Sequence, residues 1–259
     1  MWWIVALAVV GILLAAGAVV VGPFLMLKRL PQRAEIDGMV VVKDGMVSAG
    51  VVPYSPREVA LIDAGNDVEA KAILAELSRR GLAAEDVKVI LLTHGDADHV
   101  GGVAKFPEAQ VMALELEVDA AASRANGGVP IVRPRMSKSP GIRLSRTLRD
   151  GEFVQLGSLQ ARVFAVPGHT PGSAAYAIGQ TLFLGDSANQ DRRGRLKASP
   201  WVFTKDRAKN RKSLVELARR LAGDRSIKTL VFGHSAPLER GVAPLEEFAA
   251  KESANACPS

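Results

Sequence analysis

The chain opens with a long apolar segment, in which no residue from Trp2 to Leu27 is charged. At about 1.5 Å per residue, a helix of this length exceeds the ~30 Å hydrocarbon core of a bilayer. A buried core helix would show a polar stripe, and a cleaved signal peptide would begin with basic residues, yet the segment has neither. The pattern therefore predicts a single-pass membrane anchor over residues 1–30.

Basic residues follow the apolar segment, namely Lys28, Arg29 and Arg33. Because positive charge is enriched on the cytoplasmic side of membrane spans, this order predicts a membrane protein whose C-terminal domain is cytoplasmic. Residues 31–38 are interpreted as a short linker between the anchor and that domain.

From Met39 onward, short apolar runs alternate with Gly, Pro and Asp, a pattern typical of strands joined by turns. Apolar residues at helical spacing predict one helix around Ala70–Leu77 and another around Leu214–Leu221, and a final helix begins at Pro244. The predicted strands are Met39–Val42, Val47–Val52, Val59–Ile62, Val87–Leu92, Val111–Leu114, Phe153–Leu156, Gln160–Val166, Ala174–Ile178, Thr181–Leu184 and Lys228–Phe232.

These elements predict one α/β domain over residues 39–240, with helices outside a sheet core, followed by a C-terminal helix and tail over 241–259. Hydrophobic residues make up 48% of the chain, which excludes a disordered protein. The single cysteine, Cys257, excludes a disulfide within the chain and a Cys-rich zinc site, and we interpret it as a free thiol.

The chain carries a net charge of +6, and 16 of its 33 basic residues lie in two segments. Three interpretations remain open: a solvated face, a face resting on anionic lipid heads, or a rim that attracts an anionic substrate. The first segment contains Arg124, Arg133, Arg135, Lys138, Arg143, Arg146 and Arg149, and the second Arg192, Arg193, Arg195, Lys197, Lys205, Arg207, Lys209, Arg211 and Lys212.

Each of the four histidines comes just after a predicted buried strand, at the strand end where α/β folds place their sites. A lone histidine there is often only a hydrogen-bond partner, but here every histidine of the chain occupies such a position. Imidazole and carboxylate are ligands for divalent metals, and a cation would offset the repulsion among acids so close together. The pattern predicts a metal site with His94, Asp96, Asp98, His99, His169, Asp186 and His234 as ligands.

From about Met39 to Pro237, the sequence resembles the metallo-β-lactamase-fold hydrolases, in particular their glyoxalase II and lactonase-like branch. The matching segments are Leu92–Gly102, which is similar to the family's His-x-His-x-Asp-His motif, and Pro167–Ser173, Leu184–Asp186, Gly233–His234 and Leu61–Gly65. The resemblance implies an αββα sandwich with two metal ions at one edge of the paired sheets.

The resemblance also implies ligand sets: one metal at His94, Asp96 and His169, the other at Asp98, His99 and His234, with Asp186 bridging and Asp63 supporting the loop. Asp96 departs from the family, because most members have a second histidine there. Two divalent ions are expected, zinc in the first place. Because a carboxylate is a harder ligand than imidazole, a site with Asp96 could also bind iron or manganese.

Such a site predicts a hydrolase of esters, thioesters or lactones that uses a metal-bridging hydroxide, with Asp98 orienting the hydroxide and moving a proton. The alternative is a phosphodiesterase acting on an anionic lipid or nucleotide, and a third hypothesis is a metal-binding protein without turnover. We expect a small-molecule or lipid substrate of anionic character and a membrane contact through the N-terminal helix. No nucleic-acid partner is expected, and the oligomeric state stays open.

Overall fold

A computed structural model describes residues 2, 3, 10, 22–117 and 144–256. The strands are β1 (Arg33–Ile36), β2 (Met39–Asp44), β3 (Val47–Ser55), β4 (Glu58–Ile62), β5 (Val87–Leu91), β6 (Gln110–Leu114), β7 (Arg146–Leu148), β8 (Phe153–Leu156), β9 (Leu159–Ala165), β10 (Ala174–Ile178), β11 (Thr181–Phe183), β12 (Ala188–Gln190), β13 (Leu196–Ala198) and β14 (Thr229–Val231). The helices are α1 (Lys71–Arg79), α2 (Ala97–Val100), α3 (Arg207–Arg220) and α4 (Ala243–Ala256).

Two mixed sheets form the centre of the domain. The first has seven strands in the order β1-β2-β3-β4-β5-β6-β7, antiparallel from β1 to β4 and parallel from β4 to β7. The second has five strands in the order β14-β11-β10-β9-β8, with only the β11–β14 pair parallel. Strands β12 and β13 form a separate antiparallel hairpin.

Apolar side chains fill three layers between these elements. Leu91 of the first sheet and Tyr176 of the second belong to one core cluster between the sheets. Ile73 of α1 packs on the outer face of the first sheet, and Leu214 of α3 and Phe248 of α4 pack on the outer face of the second. The order helix, sheet, sheet, helix is the predicted αββα sandwich.

All ten predicted strands exist, and Phe153–Leu156 and Ala174–Ile178 match residue for residue. The differences are at the ends of elements or in short ones. Helix α4 takes up most of the range 241–259 that was predicted as a helix and tail, and the chain adds β1, β7, β12, β13 and α2. Each added element has only three or four residues, too short for a periodic pattern to be recognised.

Residues 31–38, predicted as a linker, contain β1 and belong to the first sheet. A buried carboxylate fixes this strand to helix α1, because the Arg33 guanidinium donates to both oxygens of Glu76 at 2.9 and 3.1 Å. Arg80 donates to the same carboxylate at 2.9 Å, and the Glu76 side chain is fully buried. Charge pairing across the fold therefore orders a segment that local sequence left without structure.

The predicted single-pass membrane localisation is contradicted. Among the residues that the structure describes, no helix is both long and apolar enough to cross a bilayer. The last part of the apolar segment contacts the domain instead: Leu27 is buried and forms a β-bridge with Asp191, and Lys28 N donates to Gln190 O at 3.0 Å. The cytoplasmic orientation rested on the anchor and falls with it, while residues 4–9 and 11–21 lie outside the described residues.

Two further predictions concern residues that the structure does not describe. Cys257 is one of these residues, and most of the first basic segment falls in the undescribed range 118–143. The affected basic residues are Arg124, Arg133, Arg135, Lys138 and Arg143, whereas Arg146 and Arg149 are described.

Candidate metal centre

The fold brings all seven predicted ligands to one edge, across the ends of both sheets. The first sheet contributes the loop after β5 and helix α2, and the second sheet contributes the loops after β9, β11 and β14. His94, Asp96, Asp98 and His99 come from the first sheet, and His169, Asp186 and His234 from the second.

One group of ligand atoms surrounds the Asp96 carboxylate. Its Oδ2 lies 3.2 Å from His169 Nε2 and 3.6 Å from His94 Nε2. Asp96 precedes helix α2 with an extended backbone, so its side chain turns toward the two imidazoles instead of capping the helix. The Asp96 carboxylate therefore lies where the sequence predicted it, as a ligand that replaces the histidine of most family members.

A second group contains Asp98, His99 and His234, with His234 Nε2 3.5 Å from Asp98 Oδ2. Asp186 lies between the two groups. Its Oδ1 is 3.3 Å from His99 Nε2, and its Oδ2 is 3.0 Å from His234 Nε2 and 3.7 Å from His169 Nε2. This one carboxylate contacts histidines of both groups.

Every histidine engages its Nδ1 with a partner outside the cluster. His99 Nδ1 lies 2.8 Å from Asp63 Oδ2, and His234 Nδ1 lies 2.9 Å from the Met46 carbonyl oxygen. Because a carbonyl or carboxylate can only accept, these ring nitrogens are the donors. The same tautomer leaves the Nε2 lone pairs free and directed into the cluster, as metal coordination requires.

The Nδ1 atoms of the other two histidines contact hydroxyl groups. Thr93 Oγ1 donates to Asp63 Oδ2 at 2.8 Å, so its lone pair accepts from His94 Nδ1 at 3.0 Å. His169 Nδ1 lies 3.0 Å from Ser199 Oγ. Serine and threonine hydroxyls thus complete the orientation of the four rings.

The site strongly favours positive charge. Burial alone would lower the pKa of the His99 imidazole, but Asp186, Asp63 and Asp98 raise it well above its usual value. Burial would raise the pKa of the Asp186 carboxyl, yet His234 and His99 hold it well below its usual range. The pKa of Asp96 is lowered in the same way by His169 and His94 against the effect of burial. A divalent cation satisfies these ionised carboxylates without protonating the histidines.

Buried atoms without partners support a metal at this place. Among the described residues, His94 Nε2, His99 Nε2 and Asp186 Oδ1 are buried and form no hydrogen bond. Such atoms cost free energy unless they bind a ligand, and all three are metal-ligating types. The donor set therefore fits divalent metal ions.

Two glycines let the ligand loops approach each other. A Cβ on Gly233 would collide with Asp186 Oδ1, and a Cβ on Gly185 would collide with the Thr93 side chain. Gly185 also has a φ of +50°, in the left-handed region that favours glycine. Close backbone contact at these positions holds His234 and Asp186 within reach of the first sheet.

Asp63 organises the loop after β5 from beneath. It accepts hydrogen bonds from Thr93 N at 2.7 Å, from Thr93 Oγ1 and from His99 Nδ1. Its φ of +59° is uncommon for a non-glycine residue. The sequence predicted this supporting role for Asp63, and the contacts agree with it.

Asp63→Asn should weaken metal binding about 10- to 100-fold while the fold is kept, because an amide cannot accept from all three donors. Metal affinity measured by chelator competition checks this. Asp37→Asn is a matched control, because Asp37 has a similar φ of +52° and contacts Gln180 away from the cluster. Equal metal affinity in both variants would contradict the supporting role.

Sequence reasoning missed Glu117, which is fully buried and joins the two halves of the site. Its Oε1 accepts from Gly95 N at 2.9 Å, and its Oε2 accepts from Thr170 Oγ1 at 2.7 Å and from Gly172 N at 2.9 Å. A signal was present, because Glu117 follows strand β6 just as the ligands follow theirs. Ser199 was missed as well, since no sequence pattern marks it.

The model of the metallo-beta-lactamase superfamily matches residues 42–234, about three quarters of the chain and all seven cluster residues. A hydroxyacylglutathione hydrolase of Brucella anthropi is 31% identical over 165 residues, which are 62% of this chain and 54% of that protein. A probable metallo-hydrolase of Mycobacterium tuberculosis is 35% identical over 125 residues, 43% of this chain and 39% of that protein. The chain thus spans about half or less of these relatives.

Solved structures share the architecture. A metallo-beta-lactamase family protein from Thermus thermophilus has a TM-score of 0.61 at 25% identity, with 85% of this chain and 81% of that chain covered. A subclass B3 metallo-beta-lactamase of Bradyrhizobium japonicum has a TM-score of 0.63 at 20% identity, with 89% and 94% covered, which shows the fold alone. From the family match, the fold and the cluster of metal-ligating side chains, the chain belongs to the metallo-beta-lactamase superfamily of metal-dependent hydrolases.

Proposed function

We propose that the protein is a dinuclear metal-dependent hydrolase of ester, thioester or lactone substrates. The observation that carries the proposal is the position of Asp186 between two groups of ligands. His94, Asp96 and His169 would hold one metal, Asp98, His99 and His234 would hold the other, and Asp186 would be within reach of both.

When bound, two neighbouring divalent ions supply a hydroxide at neutral pH and polarise the bond under attack. The protein directs Nδ1 of His94, His99 and His234 at an acceptor, which leaves Nε2 of these rings free, and it buries the rings of His94, His99 and His169. Asp98 is the candidate catalytic residue, because its carboxylate is partly open to solvent at the cluster and can orient the nucleophile and accept its proton.

Zinc is the proposed metal, and Asp96 is the residue that tests the assignment. Asp96→Ala should reduce the metal content from two ions to one, because Asp98, His99 and His234 still hold the second. Asp96→His should retain two metals and raise the preference for zinc over manganese and iron(II), since imidazole is a softer donor than carboxylate.

Metal content after dialysis against equal concentrations of the three ions distinguishes these outcomes. Two tightly bound metals in Asp96→Ala would mean that Asp96 is not a ligand. An unchanged metal preference in Asp96→His would show that the carboxylate does not set the selectivity.

The substrate class rests on the type of site and on relatives named hydroxyacylglutathione hydrolases. A panel of one thioester, one lactone, one carboxylic ester and one phosphodiester tests it with the metal-loaded protein. Turnover of the acyl substrates that stops after metal removal and returns on metal addition supports the proposal. Turnover of the phosphodiester alone would replace it.

A phosphodiesterase is the second candidate because of one observation. Asp186 is followed directly by the β12–β13 hairpin, whose connecting loop carries Arg192, Arg193 and Arg195. Cations this close in sequence to a proposed metal ligand suit an anionic substrate.

A further inference from the structure

A cavity of about 490 Å³ lies between the N-terminal segment and the β12–β13 hairpin. One wall is the segment Pro23–Leu27, apart from Phe24, and the other is the β12–β13 hairpin with Pro200. The hairpin and the segment are hydrogen-bonded, because Lys28 N donates to Gln190 O at 3.0 Å and Arg192 N donates to Met26 O at 3.1 Å. The end of the apolar N-terminal segment therefore forms part of a defined pocket.

Each wall is next in sequence to a residue that contacts the metal cluster. Phe24, between two wall residues, places its ring centroid 5.2 Å from that of His234. On the other side, Ser199 directly follows β13 and contacts His169 Nδ1 at 3.0 Å. A ligand in the cavity therefore lies beside the residues that contact two of the proposed metal ligands.

The charge of the cavity is strongly positive. Its lining contains Arg192, Arg193, Arg195 and Lys197 against a single acid, Asp191. Arg195 neutralises that acid through a contact of 2.8 Å, whereas Lys197 lies 4.0 Å from it. The side chains of Arg192 and Arg193 form no hydrogen bond or ion pair with any residue in the described ranges. Three cations are thus available to a ligand, next to apolar Pro23, Leu25 and Met26.

Asn189 belongs to the same hairpin but not to the residues that line the cavity. It lies opposite Lys197 in the hairpin, and the two side chains share the face turned away from Ala188 and Leu196, which belong to the core under α3 and α4. Asn189 is 1% exposed, and within the described chain both its amide nitrogen and its amide oxygen lack a hydrogen-bond partner. The hairpin face that carries Lys197 therefore also holds a buried amide with unsatisfied hydrogen-bonding capacity.

We propose that this cavity binds the anionic group of the substrate, a carboxylate or phosphate, while the apolar wall holds the adjoining hydrocarbon part. This inference rests on the proposed hydrolase function and narrows its substrates to anionic esters and thioesters. Lys197, Arg192 and Arg193 provide the charge.

Two esters that differ in one charge test the proposal: mono-p-nitrophenyl glutarate, which carries a free carboxylate, and neutral p-nitrophenyl butyrate. In each, water adds to the acyl carbon and the bond to the p-nitrophenolate oxygen breaks. The metal-loaded wild type should prefer the glutarate ester. Lys197→Met should reduce the ratio of the two kcat/KM values about tenfold, because a charge-assisted contact is lost.

Lys212→Met is the matched control, because it removes the same charge from an exposed position on α3. It should change the ratio less than about twofold, since an exposed distant charge is screened. If Lys197→Met and Lys212→Met change the ratio equally, or if the wild type does not distinguish the esters, the cavity does not bind the anion.

Binding of free glutarate, measured by calorimetry on the same proteins, separates this inference from the proposed function. In one outcome, the protein hydrolyses no ester but binds glutarate, and Lys197→Met weakens that binding. This outcome would remove the hydrolase proposal and keep the anion site. In the other outcome, the protein hydrolyses both esters, and Lys197→Met changes neither the ratio of the kcat/KM values nor glutarate binding. This outcome would keep the hydrolase proposal and remove the anion site.

Discussion

Asp186→Asn is expected to lower kcat/KM by about 10³-fold and to leave fewer than two metals bound per chain. The carboxylate contacts histidines of both ligand groups, and its pKa is held well below the usual range, so it is ionised at neutral pH. An asparagine of the same shape keeps one acceptor oxygen but removes the negative charge that offsets two cations. The measurement is metal content by mass spectrometry alongside steady-state kinetics on the best acyl substrate.

Asp206→Asn is the control for this substitution. Asp206 caps helix α3 by accepting from Lys209 N, and asparagine caps helices equally well, so activity and metal content should stay at the wild-type level. An Asp186→Asn variant that retains two metals and most of its activity would show that Asp186 does not bridge the site.

Glu117→Ala is expected to destabilise the folded protein by about 3–5 kcal/mol, because it leaves buried donors without an acceptor. The donors are Gly95 N beside His94 and the Thr170 hydroxyl and Gly172 N beside His169. Metal affinity should fall as well, because the loops that carry ligands from the two sheets lose their connection. Denaturant unfolding of the metal-free and metal-loaded forms measures both effects.

Glu115→Ala controls for the loss of an acid from the same short helical turn, because Glu115 is exposed. Its unfolding free energy should change by less than about 0.5 kcal/mol. Glu117→Gln keeps one acceptor oxygen, so it should fall between wild type and Glu117→Ala. A Glu117→Ala protein with wild-type stability and metal affinity would contradict the connecting role.

The central strands could be predicted from sequence because burial on both faces leaves a run of apolar residues, as in residues 89–92 and 230–232. The edge strand β1 and the short hairpin β12–β13 were not predicted, for a different reason. Strand β1 is ordered by Arg33 and Glu76, two residues 43 positions apart, and local pattern carries no information about such a pair. The β12–β13 hairpin likewise depends on its contact with residues 26–28.

The apolar N-terminal segment shows that hydropathy alone does not establish a membrane span. Its length and lack of charge favour a membrane span, yet Leu27 is buried against the domain and Phe24 packs on Phe203 and His234. Hydropathy measures the preference of a segment for an apolar environment, and a protein surface can provide that environment. The tertiary contacts of residues 24–28 had no sequence signature.

The seven cluster residues were predictable because a chain with four histidines places each of them after a buried strand. The hydrogen-bond partners of the histidine Nδ1 atoms were harder to predict from the sequence. Asp63 belongs to a recognisable segment, but the Met46 carbonyl and the Ser199 hydroxyl reach the site only through the pairing of strands. Residues that contribute backbone groups, or that approach the site only where the two sheets meet, can be identified only from the structure.

The most direct test of a dinuclear hydrolase is the metal content of the purified protein, measured together with ester or thioester turnover before and after chelation. A dinuclear hydrolase should contain close to two divalent ions per chain, lose turnover when they are removed, and recover it when zinc is restored. Binding of no more than one ion after reconstitution with zinc, manganese or iron(II), or turnover unaffected by complete metal removal, would contradict it.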